Sequence, residues 1–171
     1  MKYRNLVKWA GLLAMVLTVT IGFGDFASSV DAKPQKQSVT MKTSTIGKVK
    51  YYLVNDENDL RAIGKGNYPL SANYMLNHDI KLTKEWVPIG SEEHPFTGKF
   101  EGDGHVIDKL HIKSGKVKYA GLFGWVEGAT IHNVTLTHLN ISAKAGGAKK
   151  SAGAIVAIAL DSKVSDCTIK K

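Results

Sequence analysis

The sequence is short of the residues that staple or stiffen a chain. Its 171 residues hold one cysteine, Cys167, so no intramolecular disulfide can form, and only four prolines. Beyond residue 23 no apolar run approaches the ~20 residues a helix needs to cross a bilayer. Arginine is almost missing, since Arg61 alone follows residue 32 against 19 lysines. Proteins that read nucleic-acid sequence lean on the forked guanidinium, so no nucleic-acid partner is expected. After the first third of the chain no segment keeps a 3.6-residue apolar period. With 17 glycines against those four prolines, the sequence points to many turns rather than long helices.

What is present begins with a leader. Lys2, Arg4 and Lys8 precede the apolar run Trp9 to Phe23, and Val30-Asp31-Ala32 sets small or aliphatic side chains at both recognition positions of a cleavage site. Residues 1–32 read as a secretory signal peptide cut between Ala32 and Lys33. The alternative is an uncleaved anchor, for which an apolar run of about 15 residues is short. With no cysteine at the cleavage site for lipid, and no apolar tail, the product is expected outside the cell. It would be secreted or associated with the wall, and out of the membrane after cleavage. Residues 33–171 keep a formal charge of about +7.

Residues 33–45 are polar and basic and read as a flexible leader. Residues 46–95 read as an N-terminal cap and first strands. Val49 to Val54 is rich in β-branched and aromatic residues, as a strand requires. Asn55 to Asp59 clusters capping residues before Leu60-Arg61-Ala62-Ile63, with Gly64 and Gly66 as the stop of a short helix. Short strands are then expected at Tyr74 to Leu76, Ile80 to Leu82 and Trp86 to Ile89.

Residues 96–171 contain an internal repeat, incomplete at the C-terminal end. Ile131, Val134 and Leu136 are echoed by Val164, Cys167 and Ile169, and more loosely by Ile107, Leu110 and Ile112, each at i, i+3 and i+5. The offsets of this alignment are 24 and 33 residues. A spacing of two keeps side chains on one strand face, whereas a spacing of three needs a bend. Lys109, Asn133 and Asp166 stand at that bend, and Asn and Asp tolerate turn conformations. Leu139 and Ile141 continue the middle copy. Gly121, Gly124 and Gly153 are expected where backbone turns tightly or approaches its neighbour. A chain that bends back to one interior at this period is expected to stack as an all-β parallel solenoid. A β-sandwich of hairpins is the competitor, and Asp103-Gly104 is its one clear hairpin signal.

These segments resemble the GLUG-motif family, β-helical repeats of large bacterial surface and secreted proteins. Asp59 to Gly64 resembles its lead-in helix, and Tyr74 to Leu82 its Y-x-L-x-x-D-I-x-L segment. Trp86-Val87-Pro88-Ile89-Gly90 resembles W-x-P-I-G. Phe96 to Ile107, with Gly98, Gly102 and Gly104, resembles F-x-G-x-F-D-G-x-G-H-x-I, and Gly121-Leu122-Phe123-Gly124 is the naming motif. The next copy, Gly153-Ala154-Ile155-Val156, lacks the second glycine. The resemblance implies a right-handed parallel β-helix with a short N-terminal capping helix. It also implies a non-catalytic binding, adhesion or structural role at the cell surface. An open last coil implies a marginal C-terminal edge, or self-association through it.

Catalysis has little support in the residues. Hydrolysis of a glycoside needs two opposed carboxylates, and the candidates Glu101, Asp103 and Asp108 stand in or near turns. A lyase needs a Lys or Arg base, often with calcium-binding carboxylates, and no such spacing occurs. The alternatives to a binding role are thus a carbohydrate-active β-helix or a remnant of a larger surface protein. The six histidines, at 78, 94, 105, 111, 132 and 138, lack metal-ligand spacing and are expected on the surface. No cofactor is expected. Cys167 reads as a small hydrophobe rather than a reactive thiol. Lys113, Lys116, Lys118, Lys144, Lys149 and Lys150 fall in loops after successive repeats. They would serve solubility, or hold an anionic wall polymer, a host glycan or another surface protein.

Overall fold

The computed structural model describes residues 39–113, 117–142 and 150–171. Strand makes up 45% of it and helix 5%, in several sheets without a closed barrel, so the expected all-β class is what forms. The chain opens with β1 (Thr43–Ile46) and β2 (Val49–Val54), a hairpin turned at Gly47, followed by α1 (Glu57–Ala62). The Asp56 carboxylate caps α1, accepting from the amides of Asn58 and Asp59 at 2.8 and 2.9 Å. Gly64, at φ +84°, leads the chain out.

Short strands then follow in order: β3 (Tyr74–Leu76), β4 (Ile80–Lys81), β5 (Lys99–Glu101), β6 (Val106–Asp108), β7 (His111–Ile112), β8 (Tyr119–Ala120) and β9 (Phe123–Glu127). The series recurs as β10 (Thr130–His132), β11 (Thr135–Thr137), β12 (Asn140–Ile141), β13 (Ser151–Ala152) and β14 (Val156–Leu160), then β15 (Lys163–Ser165) and β16 (Thr168–Lys170). Each member of the second series pairs in parallel with its counterpart in the first: β10 with β5, β11 with β6, β12 with β7, β13 with β8, β14 with β9. β15 and β16 extend the ladders of β10 and β11, while β3 and β4 precede β5 and β6.

This register stacks like on like. Tyr74, Phe100 and Ile131 share one buried column, and Ile80, Ile107 and Leu136 another. Phe123 joins them, its ring 5.0 Å from Phe96 and 5.3 Å from Phe100. Fully burying such a side chain contributes about 1.5–3 kcal/mol, and no disulfide supplements it.

The register corrects the repeat alignment. Ile107 lies beside Leu136 and Ile112 beside Ile141, while Ile131 lies beside Phe100. The first offset is therefore 29 to 31 residues rather than 24, whereas the later offset of 33 stands. The reason is that the same bend occurs at two corners. Asn133 and Asp166, both at φ +56°, turn one, and Lys109 and His138, at +63° and +48°, turn the other. One apolar spacing thus marks two places in each pass.

Three further expectations change. The stretch 33–45 is ordered from residue 39: β1 pairs with β2, and Met41 is buried, its amide donating to the Tyr68 hydroxyl at 2.9 Å. Residues 33–38 lie outside the described residues. Trp86 to Ile89 is not a strand, because Pro88 lacks an amide hydrogen and only Ile89 bridges, to Phe123. The inward set holds for Ile107, Leu110, Ile112, Ile131, Val134 and Leu136, all buried, but Val164 and Ile169 are 41% and 55% exposed and Cys167 is half-buried. β15 and β16 are sheet edges, so among the described residues no strand covers these side chains.

Candidate functional site

The motif residues meet one another. The Trp86 indole donates to the Leu122 carbonyl at 3.0 Å, the Ile89 amide donates to the same oxygen at 3.0 Å, and the Gly124 amide donates to Ile89 at 2.8 Å. Gly90, at φ +78°, presses against the backbone: a Cβ there would lie 2.3 Å from the Trp125 carbonyl oxygen. A Cβ on Gly124 would lie 2.7 Å from the Gly90 oxygen and 3.3 Å from Pro88. Gly121 and Gly153 make the same close approach to Gly153 and Val156 backbone. Leu122 and Phe123 are buried. These residues seat the loop 88–96 on β9 and offer no functional group to solvent.

Acid–histidine pairs climb the corners. His132 bridges three passes, with Nδ1 2.7 Å from Glu101 Oε2 and Nε2 2.9 Å from Asp166 Oδ2. His138 Nδ1 lies 2.6 Å from Asp108 Oδ1, and His105 Nδ1 lies 3.3 Å from Asp79 Oδ1. Glu101 and Asp108, the carboxylates weighed for catalysis, are thus engaged by histidines on the next pass, and Asp103 is exposed in its turn. Among the described residues no three His, Cys, Asp or Glu side chains converge as a metal requires. The Asp108 carboxyl is held below its usual range by the His138 hydrogen bond, and His132 is raised above its ordinary value by its bond to Glu101. A raised histidine stabilises the fold fully below its unfolded value, near 6.5, and loses that contribution as pH rises through the folded value. Thermal stability of the wild type is therefore expected to fall as pH rises above about 6.5. His132→Asn should flatten that part of the profile in a scan of Tm against pH. An unchanged slope would mean the ladder contributes nothing.

A groove beside α1, lined in part by Asp56, Glu57, Arg61, Asp79, Lys81 and Lys84, is similarly tied up. Burial pushes the Glu57 carboxyl up, but hydrogen bonds from Thr83 and Arg61 outweigh it and bring it to about 2. Its role is to fasten α1 to the loop after β4. Cys167 is half-buried, its thiol raised by burial, and its Sγ donates to the Ser165 carbonyl at 3.3 Å. That is the environment of an inert thiol.

Of the six candidate lysines, Lys116, Lys144 and Lys149 lie outside the described residues, as do Ala32 and Lys33. Lys113, Lys118 and Lys150 are exposed. Lys118 and Lys150 directly precede β8 and β13, whose pairing sets Ser151 beside Tyr119, so the two ammonium groups leave neighbouring rungs. Lys118 pairs with Glu92, and its Nζ lies 4.9 Å above the Tyr119 ring. The Tyr119 hydroxyl donates to Glu92 at 2.9 Å. Tyr119 in turn meets Trp125, ring centroids 4.9 Å apart, edge to face. Among the described residues Lys150 has no ion-pair partner.

Sequence reasoning missed Tyr119 and Trp125. The available signal was Trp125 standing between Phe123 and Val126, both buried: a spacing of three leaves the tryptophan outside the core. It also missed the histidine ladder, which needed the true register to place His132 between Glu101 and Asp166.

Among the described residues no helix is long and apolar enough to cross a membrane. No family model matches the chain, and no solved structure matches it. Halomucin of Haloquadratum walsbyi is 27% identical over 155 residues, an alignment covering 75% of this chain. The chain spans 2% of the length of that curated relative.

Proposed function

We propose that this chain is a GLUG-type right-handed parallel β-solenoid, exported and displayed at a bacterial surface, whose lysine-bearing face holds anionic polymers there. The single observation that carries the reading is the in-register pairing of β8 with β13, which sets Lys118, paired with Glu92, and Lys150, without an ion-pair partner among the described residues, on neighbouring rungs of one edge. Stacked passes repeat their loops on one side, so charges that are scattered in sequence add into a field that attracts polyanions. In this reading α1 and the β1–β2 hairpin close the N-terminal end of the stack, and residues 1–32 direct export. Val164 and Ile169, inward positions left exposed on β15 and β16, form the face through which a second copy associates.

The test is binding of the purified protein to intact bacterial walls and to a panel of host glycans. The variant carries glutamate at positions 113, 116, 118, 144, 149 and 150. Saturable binding is expected, lost in the variant and weakened at high salt, because exposed charges are screened over ~10 Å at 0.1 M. Folded protein that binds neither surface overturns the reading.

A further inference from the structure

On the outer face of β9 and β14 the structure carries apolar surface that its core does not use. Trp125 and Ile158 stand at matched positions on neighbouring rungs, and both are half-buried yet sit outside the core cluster, as does Tyr119. An outward position of a solvent-facing strand normally bears a polar side chain. The loop 91–94 lies beside them, closed by the Ser91 amide donating to the His94 carbonyl at 2.9 Å, and it brings the Glu92 carboxylate to the Tyr119 hydroxyl. The Lys118 ammonium, paired with Glu92, borders the same patch over the Tyr119 ring, and Lys150 is the residue before β13 on the neighbouring rung. Rings that are apolar on the face and bordered by hydrogen-bonding and charged groups at the edge suit a ligand built the same way. A pyranose is such a ligand: its axial C–H bonds make an apolar face, and its hydroxyls and substituents make a polar rim.

We infer that Trp125, with Tyr119 and Ile158, is a stacking platform for one ring of an acidic polysaccharide, whose carboxylate is held by Lys150 and Lys118. Charge complementarity selects the acidic sugar over a neutral one, because Lys150 has no ion-pair partner among the described residues. Glu92 orients the rim: it fixes the Tyr119 hydroxyl and the Lys118 ammonium together. The ligand class rests on the surface-binding reading above and narrows it from any polyanion to one that presents sugar rings.

Two probes separate the two readings. Hyaluronan carries a carboxylate on alternate pyranose rings, while inorganic polyphosphate is a polyanion without rings. Titration of the purified protein with each, by calorimetry, is expected to show Trp125→Leu weakening hyaluronan at least about tenfold while leaving polyphosphate within about twofold. Trp125→Phe, which keeps an aromatic face, should retain most of the hyaluronan affinity, and far-UV circular dichroism of both variants should match the wild type. Equal loss in the leucine and phenylalanine variants, or no loss in either, overturns the platform. If the six-lysine variant still loses both probes in that case, the polyanion reading stands without it. Failure of the wild type to bind either probe overturns both.

Discussion

Gly102→Ala is expected to unfold the protein, whereas Gly104→Ala two residues on should leave it folded. Both glycines stand in the same turn after β5, and both look interchangeable in the sequence Glu101-Gly102-Asp103-Gly104. Their surroundings differ. A Cβ on Gly102 would lie 1.9 Å from the Asn133 carbonyl oxygen and 2.6 Å from its carbon, both backbone atoms of the next pass. That backbone cannot retreat, because the Gly102 amide itself donates to the His132 carbonyl at 2.9 Å and Asn133 is locked in its left-handed corner. Separating the two passes would break the β5–β10 ladder, so the cost should exceed about 4 kcal/mol, a large share of the 5–15 kcal/mol that holds a domain together. Gly104 adopts φ +79° with nothing within 4 Å of the added carbon, so alanine there meets only conformational strain, about 1 kcal/mol. Urea denaturation of the two variants gives the comparison. Similar midpoints would mean that the corner of one pass does not rest on the next.

The second large effect is a contrast along one column. Leu136 and Ile169 occupy equivalent inward positions of β11 and β16, paired directly in register. Leu136 is fully buried between Ile107 and Ile169, so Leu136→Ala removes packing on both sides and should cost about 2–5 kcal/mol. Ile169 is covered from one side only, and Ile169→Ala in dilute protein should cost less than about 1 kcal/mol. If a second copy covers the exposed Val164 and Ile169, concentrating the protein should raise its stability, and Ile169→Lys should abolish that gain. Sedimentation velocity over a hundredfold concentration range reads the association directly. A wild type that stays monomeric throughout would remove self-association from the reading and leave the stability contrast intact.

Several glycines singled out in the sequence record a distance in the fold. Apart from Gly104, which has nothing within 4 Å, most of them mark places where two backbones touch: Gly90 meets Trp125, Gly124 meets Gly90, and Gly102 meets Asn133. A side chain of any size is excluded there, so the residue type records a distance. The bends were similarly legible: Asn133 and Asp166 are residues that accept a positive φ. Lys109 was placed at a bend by its spacing alone, and the structure gives it φ +63°. The apolar positions identified the interior, and all six of the residues assigned to the two inner copies are buried.

The sequence by itself determined that the chain is all-β, where its tight approaches fall, and which side chains face inward through most of its length. Those are local properties, set by one residue's size, branching or tolerance of a turn. Only the tertiary structure decided the register, because one apolar spacing serves two corners in each pass and a sequence alignment cannot tell one corner from the other. With the register came everything that depends on neighbours from different passes: the Glu101–His132–Asp166 ladder, the adjacency of Lys118 and Lys150, and the Trp125 and Ile158 pair on the outer face. Val164 and Ile169 show the same division from the other side. Their spacing is that of buried residues, and only the position of β15 and β16 at the edge of their sheets leaves them in contact with water.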